Sequence, residues 1–244
     1  MRRALPAPTR AALLLDLDGT LLDFAARPDL VTVPAGLTDT LRRLRAPLGD
    51  ALAIITGRRI AEIDALLGDA PFAVAGEHGI AIRPGPDAAE HHVALPAIPP
   101  AWLAEAEALA TAHPGVLLER KSRGFVLHYR RAPGAGPVLR AALERMRHGD
   151  PRFALLAAAM AWEIRPHGAD KGSALRALMA HPPFAARLPV FIGDDVTDQD
   201  AIDAAQALGG VGLRVDDAFG GPTEVRAWLS EAARAGQWPA LPRG

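Results

Sequence analysis

The chain has 244 residues, half of them hydrophobic and 23% charged, so it can bury a core and is not a disordered polymer. Its 27 basic and 28 acidic residues leave a net charge of −1, without the basic excess of a nucleic-acid binder. No cysteine is present, which excludes disulfides, thiolate nucleophiles and cysteine-bound zinc. The length lies between one ordinary domain and two, which suits a single domain carrying a smaller insertion.

Arg2 and Arg3 imitate the start of a signal peptide, but Pro6 and Pro8 interrupt the next stretch, and its apolar part meets Asp16 after five residues. The longest apolar run, 153–162, has ten residues, against the roughly 20 that span a bilayer. A soluble, cytoplasmic protein is expected. Residues 11–15 read as a buried strand ending at Asp16-Leu17-Asp18-Gly19-Thr20. The next element is a helix over 34–44, with Leu37, Leu41 and Leu44 at helical spacing. Residues 52–55 form a second buried strand stopped by Thr56-Gly57-Arg58, 60–67 a helix ending at Gly68, and 72–75 a third strand before Gly76. Apolar strands alternating with helices predict a parallel sheet covered on both faces.

The middle of the chain breaks this rhythm. Five prolines fall within 84–100, which reads as a hairpin and linker. The pattern then predicts a helix over 100–112, strands over 116–121 and 125–129, a helix over 137–147, and strands over 153–158 and 162–165, an α+β layer of its own. After Pro166 the first rhythm returns, with helices over 171–179, 198–208 and 223–235 and strands over 190–192 and 211–215. The predicted fold class is therefore α/β, a Rossmann-like parallel-sheet core (1–97 and 167–244) with a smaller α+β domain inserted at 98–166.

Only two of the basic residues are lysines, Lys121 and Lys171, and there is no asparagine. A GC-rich coding bias accounts for both, since these residues use A-rich codons. The lysines that survive it are candidates for positions that need a compact ammonium and not a planar guanidinium.

Two acids end the first strand. In open α/β sheets ligands bind beyond the carboxyl ends of the strands, and carboxylates as close in sequence as Asp16 and Asp18 repel unless a cation or proton is shared. A calcium loop does not fit, because Leu21 stands where its tight turn requires glycine. Gly193-Asp194-Asp195-Val196-Thr197-Asp198 comes directly after a later strand and opens a helix. Alone it could serve as an N-cap; with Asp16 and Asp18 it points to an all-oxygen site for a hard cation, best met by Mg²⁺. Thr56 ends the second strand and Lys171 opens a helix. A hydroxyl, an ammonium and a metal are what a transferring phosphoryl group needs. No G-x-x-x-x-G-K-[ST] loop occurs.

In order and spacing, the DLDGT segment at 16–20, Thr56, Lys171 and the GDDVTD segment at 193–198 resemble the haloacid-dehalogenase superfamily of phosphatases. Ile55-Thr56-Gly57-Arg58, Gly76-Glu77-His78-Gly79, Glu119-x-Lys121, His128-Tyr129-Arg130 and Glu163-x-Arg165-Pro166 resemble, more narrowly, its trehalose-6-phosphate phosphatases. Gln199 departs from the glutamate frequent there. The resemblance implies a Mg²⁺-dependent phosphatase completing trehalose synthesis through an aspartyl-phosphate, with Asp16 as nucleophile and Asp18 as acid and base. Asp16, Asp194 and the main-chain carbonyl of Asp18 would hold the metal, with Asp198 and Asp195 orienting ligands around it. Thr56 and Lys171 would hold the phosphate. Glu119, Lys121 and Glu163 of the insertion, which would act as a closing cap, and Glu77 and His78 of the core would contact the sugar. The alternatives left open are a phosphatase of sucrose or mannosylglycerate phosphate and a sugar phosphomutase. The implied partner is a small-molecule sugar phosphate, with no nucleic acid and no membrane, for a monomeric chain.

Overall fold

Five consecutive apolar residues form strand β1 (Ala11–Leu15), and all of them are fully buried. Such a strand has both faces covered: Ala11, Leu13 and Leu15 enter one hydrophobic cluster, Ala12 and Leu14 another. The computed structural model describes residues 4–23, 31–121 and 123–243, so Arg2 and Arg3 lie outside the described residues. The chain divides into two compact units, Met1–Val93 with Asp170–Gly244, and Ala94–Ala169.

In the larger unit, β1 is succeeded by α1 (Leu37–Arg45), β2 (Leu52–Ile55), α2 (Ile60–Leu67), β3 (Ala73–Gly76), β4 (Ala81–Arg83) and β5 (His91–His92). The smaller unit holds α3 (Pro100–Ala112), β6 (Leu117–Arg120), β7 (Phe125–His128), α4 (Gly136–Arg147), β8 (Phe153–Ala158) and β9 (Ala161–Pro166). The larger unit resumes with α5 (Lys171–Met179), β10 (Leu188–Gly193), α6 (Gln199–Ala207), β11 (Val211–Arg214), α7 (Val215–Ala218) and α8 (Pro222–Ala235).

Among the described residues the larger sheet has the order β11-β10-β1-β2-β3-β4-β5. The strands from β11 to β3 are parallel, and β4 and β5 extend the sheet antiparallel. Leu37, Leu41 and Leu44 of α1, Ile60, Ile63 and Leu67 of α2, and Val225, Trp228 and Leu229 of α8 cover one face. Ala174, Leu175 and Leu178 of α5 and Ala201, Ile202 and Ala205 of α6 cover the other. This is an α/β fold in three layers. The chain leaves β1 for β2 on one side, while β10 lies on the other, so a topological switch point falls between β1 and β10.

The smaller unit has an antiparallel sheet in the order β6-β7-β9-β8. Phe125, Leu127, Phe153 and Ile164 line its covered face with Leu139 and Leu143 of α4 and Ala106 of α3. Tyr129 stacks on Trp162, with ring centroids 6.4 Å apart, and so belongs to the packing. At the C-terminal end of this unit His167 N–H donates to the Arg152 carbonyl at 2.7 Å.

Several elements differ from the sequence-based expectation. The strand expected over 211–215 stops at Arg214, and Val215 opens α7. The helix expected from 198 begins at Gln199, after a single 3-10 turn over Val196–Asp198. The hairpin expected within 84–100 starts upstream, at β4, whose three residues are too few for alternation to announce a strand. No helix among the described residues is long and apolar enough to cross a membrane. Phe191 of β10 is fully buried in the layer against α5 and α6. Phe191→Ala should therefore cost about 3–5 kcal/mol, read as a lower urea midpoint with an unchanged slope.

Candidate active site

Asp16 lies just past β1, Thr56 past β2, Glu77 and His78 past β3, and Asp194 and Asp195 past β10. Parallel strands deliver all of these to one edge of the sheet, the carboxyl end at the switch point. Lys171 opens α5 behind Asp170, whose carboxylate caps the helix by accepting from the Ser173 N–H at 2.6 Å.

Lys171 is the centre of the arrangement. Its ammonium donates to Asp16 Oδ1 at 2.7 Å and to Asp198 Oδ1 at 2.6 Å, and all three side chains are buried. Carboxylate oxygens of Asp16, Asp194 and Asp198 lie within 4.8 Å of one another. Burial opposes a charged lysine, but the two carboxylates outweigh it and its pKa lies above the ordinary value. Burial also raises the Asp16 carboxyl, to about 8; Lys171 pulls it down and Asp198 pushes it up. Asp194 is raised for the same reasons, burial first and Asp198 next. Three crowded acids in an oxygen-only donor set fit a hard divalent cation.

Neighbouring groups fix each acid. Asp198 Oδ2 accepts from the Asp195 N–H at 2.9 Å, and Asp195 Oδ1 from the Val196 N–H at 2.6 Å. Gly193 makes room: a Cβ there would lie 2.4 Å from Asp198 Cγ. The Thr20 hydroxyl donates to Asp194 Oδ1 at 3.2 Å. Asp18 stands apart from the cluster. Arg58 clamps its carboxylate with two hydrogen bonds of 2.7 Å, Nε to Oδ2 and Nη2 to Oδ1. Thr56 is buried, and its hydroxyl accepts from the Arg58 N–H at 3.3 Å.

Glu77 and His78 form a 3-10 turn with φ of 49° and 57°, left-handed conformations that cost non-glycine residues about 1–3 kcal/mol each. Main-chain bonds to the neighbouring loop hold them: Glu77 N–H donates to the Arg58 carbonyl and His78 N–H to the Thr56 carbonyl, both at 2.9 Å.

In the smaller unit, strand register puts Glu119 opposite Val126, and Val126 opposite Glu163. Both acids thus lie on the sheet face away from Phe125 and Ile164. Glu119 pairs with Lys121 and, at 2.8 Å, with His128 Nε2. The His128 bond, opposed by partial burial and helped by Lys121, holds the Glu119 pKa down to about 2. Burial raises that of Glu163, with Arg165 and Lys121 opposing.

Arg58, Thr20 and His128 sit inside the sequence motifs, but their type and spacing did not assign them these contacts. Arg214, at the end of β11, carried no signal at all. Gln199 donates to Asp203 at 2.8 Å on the exposed side of α6. His91, His92, His148 and His181 are exposed.

Lys171→Met should leave the buried oxygens of Asp16 and Asp198 without their shared donor and destabilise the fold by about 1–3 kcal/mol, measurable by chemical denaturation. Glu119, with its folded pKa depressed, lends stability above its unfolded value near 4.5 that is lost as pH falls toward 2. Glu119→Gln should flatten the acid limb of the stability profile in that window, and an unchanged limb would discount the pair.

A family model described as trehalose-phosphatase matches residues 14–226. A probable trehalose-phosphate phosphatase of Sinorhizobium fredii is 42% identical over 205 residues, covering 84% of this chain and 77% of that protein. The trehalose-6-phosphate phosphatase of Escherichia coli is 36% identical over 226 residues, covering 89% and 85%. The structure of an Aspergillus fumigatus trehalose-6-phosphate phosphatase aligns over 94% of both chains with a TM-score of 0.61 and 25% identity. With a match that spans both units and every acid of the cluster, the chain belongs to the trehalose-phosphatase family.

Proposed function

We propose that the chain hydrolyses trehalose 6-phosphate to trehalose and phosphate, the last step of trehalose synthesis, with Mg²⁺ as cofactor. The observation that carries the chemistry is Lys171 bonded to Asp16 inside a cluster of three acids at the sheet's switch point. The family and its relatives supply the substrate.

Asp16 is the nucleophile: a carboxylate oxygen attacks phosphorus, an aspartyl-phosphate forms, and the bond from phosphorus to the sugar oxygen breaks. Asp18 gives its proton to the departing sugar oxygen. It then takes one from the water that attacks the intermediate, releasing phosphate and restoring Asp16. Arg58 engages both carboxylate oxygens of Asp18, so that this pair opens before Asp18 can reach the sugar oxygen. Lys171 and Thr56 hold the phosphate oxygens. Asp16, Asp194 and the main-chain carbonyl of Asp18 would hold Mg²⁺, with Asp198 and Asp195 orienting what surrounds it. When bound, the ion neutralises charge on the phosphate and on the attacking carboxylate.

Sugar hydroxyls are matched by carboxylates that accept and an ammonium that donates. Glu119, Lys121 and Glu163, with Glu77 and His78, are assigned to that recognition. Phosphate release in Mg²⁺ should clearly favour trehalose 6-phosphate over sucrose 6-phosphate, glucose 6-phosphate and p-nitrophenyl phosphate. Asp16→Asn should cut turnover by more than about a thousandfold. Turnover of the nitrophenyl ester alone would retain the core chemistry and overturn the assignment of the sugar.

A further inference from the structure

We infer that Arg214 is a positioning residue for the cation site, acting through the main chain of the loop that carries Asp194. The inference rests on the proposed binding of a divalent cation by Asp16 and Asp194.

The cluster's acids are held unequally. Asp16 is fixed by Lys171, and its N–H donates to the Ile192 carbonyl at 2.9 Å. Asp198 has both oxygens engaged, one by Lys171 and one by the Asp195 N–H, and is fully buried. Asp194 is half-buried, and its carboxylate accepts a longer bond, 3.2 Å, from the Thr20 hydroxyl. Repulsion from Asp198 acts on that carboxylate against its side-chain hydrogen bonds with Thr20 and Asp16.

Its main chain is held much more firmly. Arg214 lies beside Gly193 in the β10–β11 register, at the carboxyl end of the edge strand. From there its guanidinium donates through Nη2 to the Asp194 carbonyl at 2.6 Å and through Nη1 to the Asp195 carbonyl at 3.3 Å. Both peptide planes that flank Asp195 are thus turned toward one planar, permanently charged group. The orientation of those planes sets where the Asp194 carboxylate leaves the backbone and where the Asp195 N–H meets Asp198. Charge-assisted bonds of this kind are stronger than neutral ones and fix direction as well as distance. Among the described residues these bonds go to main-chain carbonyls and not to a carboxylate, so Arg214 is not an ordinary surface ion pair. Groups that orient metal ligands typically change metal affinity by about 10–100-fold when removed.

The test compares wild type, Arg214→Met and Arg214→Lys by two Mg²⁺ titrations, one of phosphate release and one of the rise in Tm that Mg²⁺ produces. Arg214→Met should raise the half-saturating Mg²⁺ concentration by about tenfold or more in both. At saturating Mg²⁺ its KM for trehalose 6-phosphate should match wild type. Arg214→Lys, which keeps the charge and one donor for the Asp194 carbonyl, should fall between the two. If Arg214→Met fails to fold, Arg214→Lys alone decides, with a several-fold shift expected. A merely structural role would lower the metal-free Tm and leave both half-saturation values unchanged, and that result overturns the inference. A wild-type protein with no Mg²⁺ response overturns the metal reading itself, and this inference with it.

Discussion

An ammonium placed between buried carboxylates is the constraint around which this molecule is arranged. Lys171 contacts Asp16 and Asp198 with almost no solvent access, where an unpaired charge of either sign costs several kcal/mol. The lysine makes two of the acids tolerable, but it does not balance the cluster. Asp16, Asp194 and Asp198 stay crowded, and Asp16 is pushed up to about 8. That residual imbalance suits the site to a divalent cation and a phosphate, whose opposite charges can be taken up together.

Such crowding needs a rigid frame. The parallel strands are buried on both faces and bring Asp16 and the 194–198 loop to adjacent strand ends. Beyond the strands the loops hold one another. Glu77 and His78 take left-handed conformations because two main-chain bonds tie them to the loop after β2. Arg58, in that same loop, reaches back to Asp18. The absence of a Cβ at Gly193 lets Asp198 lie against the chain. Strain and close approach collect where the chemistry is assigned, as expected where geometry is over-determined.

The smaller unit separates its roles by sheet face. One face is apolar and packs on α3 and α4; the other carries Glu119, His128 and Glu163. Glu119 is held ionised while burial makes Glu163 harder to ionise. Two carboxylates on one sheet face, with a single strand between them, thus differ in how readily they ionise.

Local pattern made much of this legible in advance. Continuous apolar runs mark strands buried on both faces, and acids directly after them mark strand ends, because both signals arise within a few residues. The scarcity of lysine singles out Lys171 and Lys121. The composition held no trace of the pairing partners. Lys171 is 155 residues from Asp16, Arg58 is 40 from Asp18, and Arg214 is 20 from Asp194. The strand order, the antiparallel β4 and β5, and the clamp of Arg214 on the loop after β10 depend on which elements come to lie side by side. Those contacts are made between distant segments, and neither periodicity nor turn chemistry registers them.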